Sequence, residues 1–416
     1  MAKIKNITAR EILDSRGQPT VEARVYLDNG LSAVASVPSG TSIGSHEAVE
    51  LRDGDRKRYS GQGVLKAVGK IRDIIAPALK GQTITDQAKL DKILISLDDS
   101  TSKRNLGANA TLAVSLACAR VAAVNEKQEL FVYLGKTFSL AAPQIPTPLF
   151  NIFNGGKHAD TNLDFQEFLI IPKKAAAPEM VRLGAEVFSE LGRVLKESGY
   201  DTDTGLEGGY APDLDSSVEA LELIMAASIR AGYEPGKDLY LGIDVGSSLL
   251  YDQASKKYIF PLDSAYFSSA NLIGLYNEWL KKYPLLYLED GLAEDAWDDW
   301  RELTAELGTK MLIVGDDLFA TNPGRLRQGL KEKAANAIII KPNQAGTLTE
   351  TVECLQLAQK HNYKVIVSQR SGETVDDFIV DLAVAARADY LKAGSLSRGE
   401  RVTKYNRLME IADLLN

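Results

Sequence analysis

The sequence predicts an α/β fold in which a small N-terminal α+β domain precedes an eight-stranded α/β barrel. A short apolar run that ends in one polar, chemically capable residue recurs six times between residues 239 and 394. The last five end residues are about 25 positions apart, which leaves room for one strand, one helix and two short loops, as in a βα repeat. Two further strand candidates precede these six, and eight strands close such a barrel. The length of 416 residues suits this combination.

The N-terminal part begins with a β pattern. Alternating apolar residues predict strands over residues 4–13, 21–27 and 31–37, and Asn29-Gly30 between the last two is a hairpin signal. After a loop of small residues at 39–45, helical periodicity predicts helices over 64–79, 87–97 and 108–125 and a short segment at 130–134. Pro143, Pro146 and Pro148 mark a linker, so we divide the chain into residues 1–138 and 139–416.

The barrel begins with two strand candidates, residues 149–153 and 165–171, followed by helices at 179–198 and 216–231. Their connection of about a dozen residues is short for a parallel crossover, so we expect the second strand to run antiparallel to its neighbours. The six remaining strands are predicted at 239–244, 285–289, 312–316, 337–341, 365–368 and 390–392. Helices are predicted between and after them at 269–281, 297–307, 322–333, 349–361, 374–386 and 401–415.

Composition excludes several classes of protein. With 45% hydrophobic and 25% charged residues, the chain is not disordered or fibrous. The net charge of −8 argues against nucleic acid or an anionic membrane as partner. Cys118 and Cys354 lie far apart in helical patterns, which indicates a reduced, cytoplasmic protein. The start lacks an apolar signal segment and no uninterrupted apolar run reaches the length of a membrane span, so we expect neither export nor membrane insertion.

Three barrel strands end in acids, Asp244, Glu289 and Asp316. The carboxyl ends of parallel strands meet at one mouth of a barrel, so these carboxylates should converge. An all-oxygen set suits Mg²⁺ or Mn²⁺ rather than Zn²⁺. The alternative is that the acids form ion pairs with Lys341 and Lys392, which end later strands.

Both lysines follow apolar residues, and each would lie beside a bound cation. Burial and a nearby positive charge disfavour the ammonium form, so we expect a lowered pKa. One of Lys341 and Lys392 is then a general base and the other binds a carboxylate. Two structural ion pairs are the alternative.

A phosphate site is predicted after the seventh strand, where Ser368-Gln-Arg-Ser371 precedes a helix. The guanidinium group of Arg370 and the backbone N–H groups at a helix N-terminus are suited to bind a phosphate. Ordinary helix capping is the alternative. The loop at 39–45 would add donors as a lid, with a flexible surface loop as the alternative. Glu207 lies among three glycines and is either a catalytic carboxyl or without a role.

Together these residues resemble the enolase family from Ile4 to about Leu415. The resemblance rests on DSRG at 14–17, SG at 39–40, EAVELRD at 47–53, NGG at 154–156, QEF at 166–168, LED at 288–290, GDD at 315–317, Lys341 with NQ at 343–344, RSGET at 370–374 and Lys392. It implies a three-stranded meander with helices followed by a ββαα(βα)₆ TIM-like barrel. It also implies Mg²⁺-dependent dehydration of 2-phosphoglycerate to phosphoenolpyruvate, a glycolytic lyase reaction on a small anionic phosphorylated substrate, by a cytoplasmic homo-oligomer.

The resemblance gives each matching residue a role. Asp244, Glu289 and Asp316 would hold a first Mg²⁺ and Ser42 would help to hold a second. Lys341 would remove the proton beside the carboxylate to form a metal-stabilised enediolate, and Glu207 would protonate the departing hydroxyl. The remaining matches would contact the substrate: Gln166, Glu167 and His158 near the hydroxyl, Arg370 and Ser371 at the phosphate, Lys392 at the carboxylate, and Ser368 and Gln369 as further substrate-binding residues.

The chain departs from the family pattern at residues that matter for the second half of the reaction. Enolases usually have His where this chain has Gln369, and Asp where it has Leu206; Ile43 and Ala393 are lesser differences. Gln369 can donate a hydrogen bond but cannot deliver a proton. Three hypotheses follow: an enolase or a slow paralogue, a relative that treats another phospho- or phosphonocarboxylate through the same enediolate, and a non-catalytic binding protein.

Overall fold

The computed structural model describes residues 1–41 and 44–415. Its N-terminal sheet is an antiparallel meander of β1 (Ile4–Leu13), β2 (Pro19–Leu27) and β3 (Ser32–Ser36) in that order. In β2, buried Val21, Ala23 and Val25 alternate with half-buried residues, so one face of the sheet packs on the core. The predicted meander is confirmed, and Gly30 in its second turn has the left-handed φ of 89° that favours glycine.

Five helices complete the first part of the chain: α1 (Leu65–Lys70), α2 (Ala76–Leu79), α3 (Gln87–Asp98), α4 (Ala108–Glu126) and α5 (Leu130–Thr137). The predicted helix at 64–79 is interrupted by a π-helical turn, Ile71–Ile75. Within the described ranges, α4 is the one helix long and apolar enough to cross a membrane. Of its most apolar window, 83% is buried inside the protein, where it packs against β2 and β3. It is a core helix of this domain.

The second part of the chain contains eleven strands and nine helices in the described range. The strands are β4 (Thr147–Asn154), β5 (Glu167–Pro172), β6 (Leu239–Asp244), β7 (Tyr251–Asp252), β8 (Lys257–Phe260), β9 (Ala265–Phe267), β10 (Leu285–Glu289), β11 (Leu312–Gly315), β12 (Ala337–Ile340), β13 (Lys364–Ser368) and β14 (Tyr390–Lys392). The helices are α6 (Ala177–Glu197), α7 (Ser217–Arg230), α8 (Ser269–Lys282), α9 (Trp297–Leu307), α10 (Pro323–Glu332), α11 (Pro342–Ala345), α12 (Leu348–Lys360), α13 (Phe378–Ala385) and α14 (Gly399–Leu415).

Eight of these strands close a barrel in the order β10-β11-β12-β13-β14-β4-β5-β6. β5 pairs antiparallel with β4 and β6, as its short connection to β4 predicted, and the other pairs are parallel. The interior is packed with side chains from alternate positions, among them Leu169, Tyr287 and Ile339. The predicted α+β domain and ββαα(βα)₆ barrel are therefore confirmed.

Two further differences from the predicted elements concern a small additional sheet and the helix α13. The small sheet β7-β8-β9 was missed because strands of two to four residues give little periodic signal. The helix predicted at 374–386 begins only at Phe378. Before it, Thr374 accepts a hydrogen bond from Ser36 Oγ at 3.0 Å, and Asp376 accepts one from Ser36 N at 2.9 Å. These hydrogen bonds hold the segment against the end of β3 in the N-terminal domain, and it is not helical.

Candidate active site

A cavity opens at the mouth of the barrel, lined by residues at or near the ends of the strands. They are His158, Gln166, Glu167, Glu207, Asp244, Asp290, Asp316, Asp317, Lys341, Ser368, Gln369, Arg370, Ser371 and Lys392. Glu289 is fully buried and reaches this set through its ion pair with Lys392. The predicted Ser42 lies outside the described residues. Apart from Ser42, the residues singled out from the sequence thus belong to one constellation.

The antiparallel direction of β5 explains how Glu167 reaches the mouth. Glu167 is the first residue of its strand, not an interior one as the sequence suggested. Because β5 runs opposite to its neighbours, its amino end lies beside their carboxyl ends. Glu167 accordingly pairs in register with Asn154 at the end of β4 and with Asp244 at the end of β6.

Lys392 joins three carboxylates of the mouth. Its Nζ lies 3.0 Å from Glu167 Oε2, 3.2 Å from Asp244 Oδ2 and 2.6 Å from Glu289 Oε2. Burial alone would lower the pKa of this ammonium group, but the three carboxylates outweigh burial and hold the pKa well above its ordinary value. The lowering expected for Lys392 assumed a bound cation beside it and stays a prediction. Two of the three acids predicted to hold Mg²⁺, Asp244 and Glu289, thus form ion pairs with Lys392.

Lys341 also differs from its expected charge state. Its Nζ contacts Asp316 Oδ2, and Asp316 Oδ1 accepts a hydrogen bond from Gln344 Nε2 at 3.2 Å. Burial acts to lower the pKa of Lys341, but the negative charge of Asp316 acts in the opposite direction. On balance the pKa of Lys341 is raised above its ordinary value. The lowering expected from the sequence assumed a bound cation beside Lys341 and stays a prediction. The ion pairs considered as the alternative are present.

A compact carboxylate group lies next to Lys341. Ligand oxygens of Asp290, Asp316 and Asp317 fall within 4.8 Å of one another. Both oxygens of Asp290 accept backbone hydrogen bonds, from Asp316 N and Asp317 N, each at 2.9 Å. Sequence reasoning missed Asp290 and Asp317, although each directly follows a predicted ligand. The adjacent acid pairs 289–290 and 316–317 were the available signal.

These carboxylates fit a divalent cation. The cavity lining holds six acidic side chains against Lys341, Arg370, Lys392 and His158, so negative charge is in excess. Burial and mutual repulsion raise the pKa of Asp317 to about 7 and hold those of Glu289 and Asp290 well above their ordinary value. Glu289 Oε1 is buried and accepts no hydrogen bond from a described residue. An oxygen-only donor set with unneutralised charge and an unpaired oxygen suits Mg²⁺.

A second titratable group is formed by His158, Glu167 and Glu207. His158 Nδ1 lies 3.3 Å from Glu167 Oε1 and 3.6 Å from Glu207 Oε1. Asn151 Nδ2 donates to Glu207 Oε2 at 2.9 Å. Glu207 is 2% exposed, so the glycine-rich segment around it is tightly packed. Gly208 has a φ of 89°, and a Cβ there would lie 2.6 Å from a serine hydroxyl oxygen.

The two glutamates have opposite pKa shifts. Burial and the neighbouring Glu207 raise the pKa of Glu167 to about 7. Burial also acts to raise the pKa of Glu207, but His158, Arg401 and Lys392 outweigh burial and lower it to about 2. Glu207 itself is therefore ionised at neutral pH. The pair as a whole can still carry a proton near neutral pH, on Glu167.

The predicted phosphate residues lie at the border with the N-terminal domain. Arg370 forms a two-pronged ion pair with Glu47, Nη1 to Oε2 at 2.6 Å and Nη2 to Oε1 at 3.1 Å, and Nη1 donates to Asn343 Oδ1 at 3.1 Å. Ser371 Oγ donates to Thr41 Oγ1 at 2.7 Å. Glu47 and Asn343 were not predicted as site residues, although they belong to motifs that carry the resemblance.

Glu47→Ala should destabilise the protein and make it responsive to phosphate. Both members of the Glu47–Arg370 pair are 4% exposed, and removing one partner of a buried ion pair costs about 3 to 5 kcal/mol. Thermal unfolding should show this loss, and inorganic phosphate should raise the melting temperature of Glu47→Ala more than that of the unmodified protein. Glu179→Ala, which removes an exposed ion-pair partner of Arg182, is the control. Equal phosphate responses in all three proteins would contradict an anion site at Arg370.

Two family models match the chain. One, described as the N-terminal domain of enolase, matches residues 4–134, and the other, described as the C-terminal TIM barrel domain of enolase, matches residues 142–416. The chain belongs to the enolase family. The resemblance noted in the sequence is thereby confirmed, and an enolase-superfamily function is supported. The individual roles assigned to the site residues, and the boundary at residue 138, stay predictions.

Proposed function

We propose that this enolase-family protein is an Mg²⁺-dependent hydro-lyase that converts 2-phosphoglycerate into phosphoenolpyruvate. One observation carries the proposal. Lys341 follows β12 and Glu167 begins β5, and these strands are four positions apart in the ring of eight. The basic and acidic groups therefore stand across the mouth from each other. A three-carbon acid bound between them would lose its carbon-bound proton on one side and its hydroxyl on the other.

The residues present account for both halves of this reaction. Mg²⁺, when bound, supplies positive charge to the carboxylates and to the substrate. With Asp316 neutralised, burial remains as the main influence on Lys341 and lowers the pKa of its amine toward that of a usable base. On the other side, the Glu167–Glu207 pair holds the proton that the departing hydroxyl needs. Arg370 and Ser371 would bind the phosphate, and Lys392 the substrate carboxylate.

The proposal includes the setting of the enzyme. A small phosphorylated anion would be its substrate, and the negative overall charge makes local cations at the mouth responsible for attracting it. We further propose a glycolytic, cytoplasmic enzyme that is a homo-oligomer, at least a dimer. Sedimentation of the purified chain would test the last point.

Turnover of 2-phosphoglycerate is the direct test. We expect the purified protein to form phosphoenolpyruvate, followed by its ultraviolet absorbance, in Mg²⁺ and not after chelation with EDTA. Mg²⁺ should also raise the melting temperature, because it relieves repulsion among buried carboxylates. Restoring Mg²⁺ to the chelated sample is the control for irreversible damage. A metal-loaded, folded protein that forms no phosphoenolpyruvate would rule the proposal out.

A second candidate is a relative that removes the same proton but acts on a related phospho- or phosphonocarboxylate. The buried amide of Gln369, which lines the cavity without a transferable proton, favours it. In deuterated water such a protein would exchange the proton beside the carboxylate of 2-phosphoglycerate without forming phosphoenolpyruvate. If neither exchange nor dehydration occurs, a non-catalytic binding protein is the remaining hypothesis.

A further inference from the structure

A tyrosine inside the barrel contacts one of the predicted metal ligands. Tyr287 precedes Glu289 by two positions on β10, and residues at this spacing on a strand point to the same face. Tyr287 is fully buried, and its Oη donates a hydrogen bond to Glu289 Oε2 at 2.5 Å. The interior of such a barrel is normally filled with branched apolar side chains. The one polar atom of Tyr287 is thus directed at the carboxylate of Glu289.

The neighbouring strand leaves room for the ring of this tyrosine. Tyr287 pairs in register with Gly242 of β6. A Cβ on Gly242 would lie 3.0 Å from Tyr287 Cβ and 3.2 Å from its Cδ1, which is shorter than an ordinary carbon–carbon contact. Gly242 does not have the left-handed φ that favours glycine. The space that the tyrosine ring occupies therefore accounts for the missing side chain.

The two oxygens of Glu289 have different surroundings. Oε2 accepts hydrogen bonds from Tyr287 Oη and from Lys392 Nζ, the latter at 2.6 Å. Oε1 is buried and makes no hydrogen bond to any residue of 1–41 or 44–415. In Asp244 and Asp316, by contrast, both carboxylate oxygens contact a donor of the protein. Oε1 of Glu289 is therefore the ligand atom that the protein leaves open to a cation.

Of the two donors to Oε2, only Tyr287 is independent of the substrate. Lys392 is expected to bind the substrate carboxylate, so its ion pair with Glu289 can be exchanged for that contact. The hydroxyl of Tyr287 lies inside the barrel and stays with Glu289. This carboxylate then offers one oxygen to a cation instead of two.

We propose that Tyr287 restricts Glu289 to a single ligand atom, Oε1, and that this restriction makes the site prefer Mg²⁺ to Ca²⁺. Mg²⁺ is small and demands near-octahedral geometry, whereas Ca²⁺ takes more oxygens and accepts a carboxylate through both of its oxygens. Tyr287 is a positioning residue that acts through Glu289. The inference rests on the proposed function, because it takes Asp244, Glu289 and Asp316 as the ligands of the cation.

Tyr287→Phe tests the proposal, because it removes the hydroxyl and keeps the ring. Binding of Mg²⁺ and of Ca²⁺ to the metal-free protein is measured separately by calorimetry at pH 8, without substrate. Mg²⁺ should bind about tenfold more weakly, as for the loss of an outer contact to a metal ligand. Ca²⁺ should lose less than about threefold, because it can then use both oxygens of Glu289.

Tyr405→Phe is the matched control. Tyr405 is 1% exposed and donates a hydrogen bond to Gly394 O at 2.6 Å, so this variant also loses a buried hydroxyl. It should leave the ratio of the two affinities unchanged. Equal weakening of both ions by Tyr287→Phe, as a general structural defect would cause, overturns the proposal, and so does no weakening.

The unmodified protein gives a second measurement that does not depend on the folding of a variant. It should bind Mg²⁺ more tightly than Ca²⁺, and equal or tighter binding of Ca²⁺ overturns the proposal.

The outcomes separate this inference from the proposed function. An unchanged ratio in Tyr287→Phe overturns the role of Tyr287 even if the unmodified protein forms phosphoenolpyruvate. A ratio that shifts toward Ca²⁺ in a chain that forms no phosphoenolpyruvate supports that role and overturns the dehydration. Failure of the unmodified protein to bind Mg²⁺ overturns both.

Discussion

Lys341→Met is expected to lower kcat for phosphoenolpyruvate formation by about 10²- to 10⁴-fold, the usual contribution of a positioned general base. Methionine fills a similar volume but has no amine to take the proton beside the carboxylate. Asp316 keeps its hydrogen bond from Gln344, so the carboxylate group should stay in position. Steady-state rates measured over a range of 2-phosphoglycerate concentrations in saturating Mg²⁺ give the comparison.

The control for this loss is Lys331→Met, which removes an exposed lysine of α10. It should leave the rate and the melting temperature unchanged. Phosphoglycolate, which has the carboxylate and the phosphate of the substrate but no third carbon, serves as a ligand that does not react. Its affinity for Lys341→Met should stay within a few-fold of its affinity for the unmodified protein, because the amine acts on the reacting proton. A variant that keeps most of its rate would remove Lys341 from the chemistry. A variant that loses phosphoglycolate binding as strongly as rate would give it a binding role instead.

Much of the fold followed from periodicity and spacing. The intervals of about 25 residues between strand ends leave few alternatives to βα units, and eight such strands close a barrel. The short link between β4 and β5 excluded a parallel crossover, which predicted the one reversed strand. The convergence of Asp244, Glu289 and Asp316 at one mouth followed from the same rule, because it depends on the backbone and not on side-chain contacts.

The protonation states and ion pairs of the site residues could not be predicted in this way. Whether Lys341 has a raised or lowered pKa depends on its contact with Asp316, 25 positions earlier in the chain, and strand spacing does not contain that distance. Glu47 reaches Arg370 from the other domain, so no local pattern connects them. The side-chain oxygen of Gln369 accepts a hydrogen bond from Arg401 on α14, 32 positions later in the chain. Each of these features depends on a side chain that the motif itself does not include.

Lys392→Met is expected to destabilise the metal-free protein by about 3 to 5 kcal/mol at pH 8, the range for removing one partner of a buried ion pair. The lysine is 3% exposed and contacts Glu167, Asp244 and Glu289, each 5% exposed or less. Without it, three buried carboxylates would face each other with no cation. Chemical denaturation in EDTA, with Lys364→Met at an exposed lysine of β13 as the control, measures the loss.

This loss should shrink as the pH falls. A carboxyl group whose folded pKa is raised destabilises the folded state at high pH, and the effect is relieved as pH drops through that pKa. Burial and Glu207 already raise the pKa of Glu167 to about 7, and Lys392 opposes that shift. Removal of Lys392 should raise the pKa of Glu167 further. The Lys392→Met protein should therefore regain stability as the pH is lowered from 8 to 5. Mg²⁺ at pH 8 should recover stability too, because it supplies the missing positive charge. A deficit independent of both pH and Mg²⁺ would mean that Lys392 contributes by packing and that the three acids do not form one electrostatic unit.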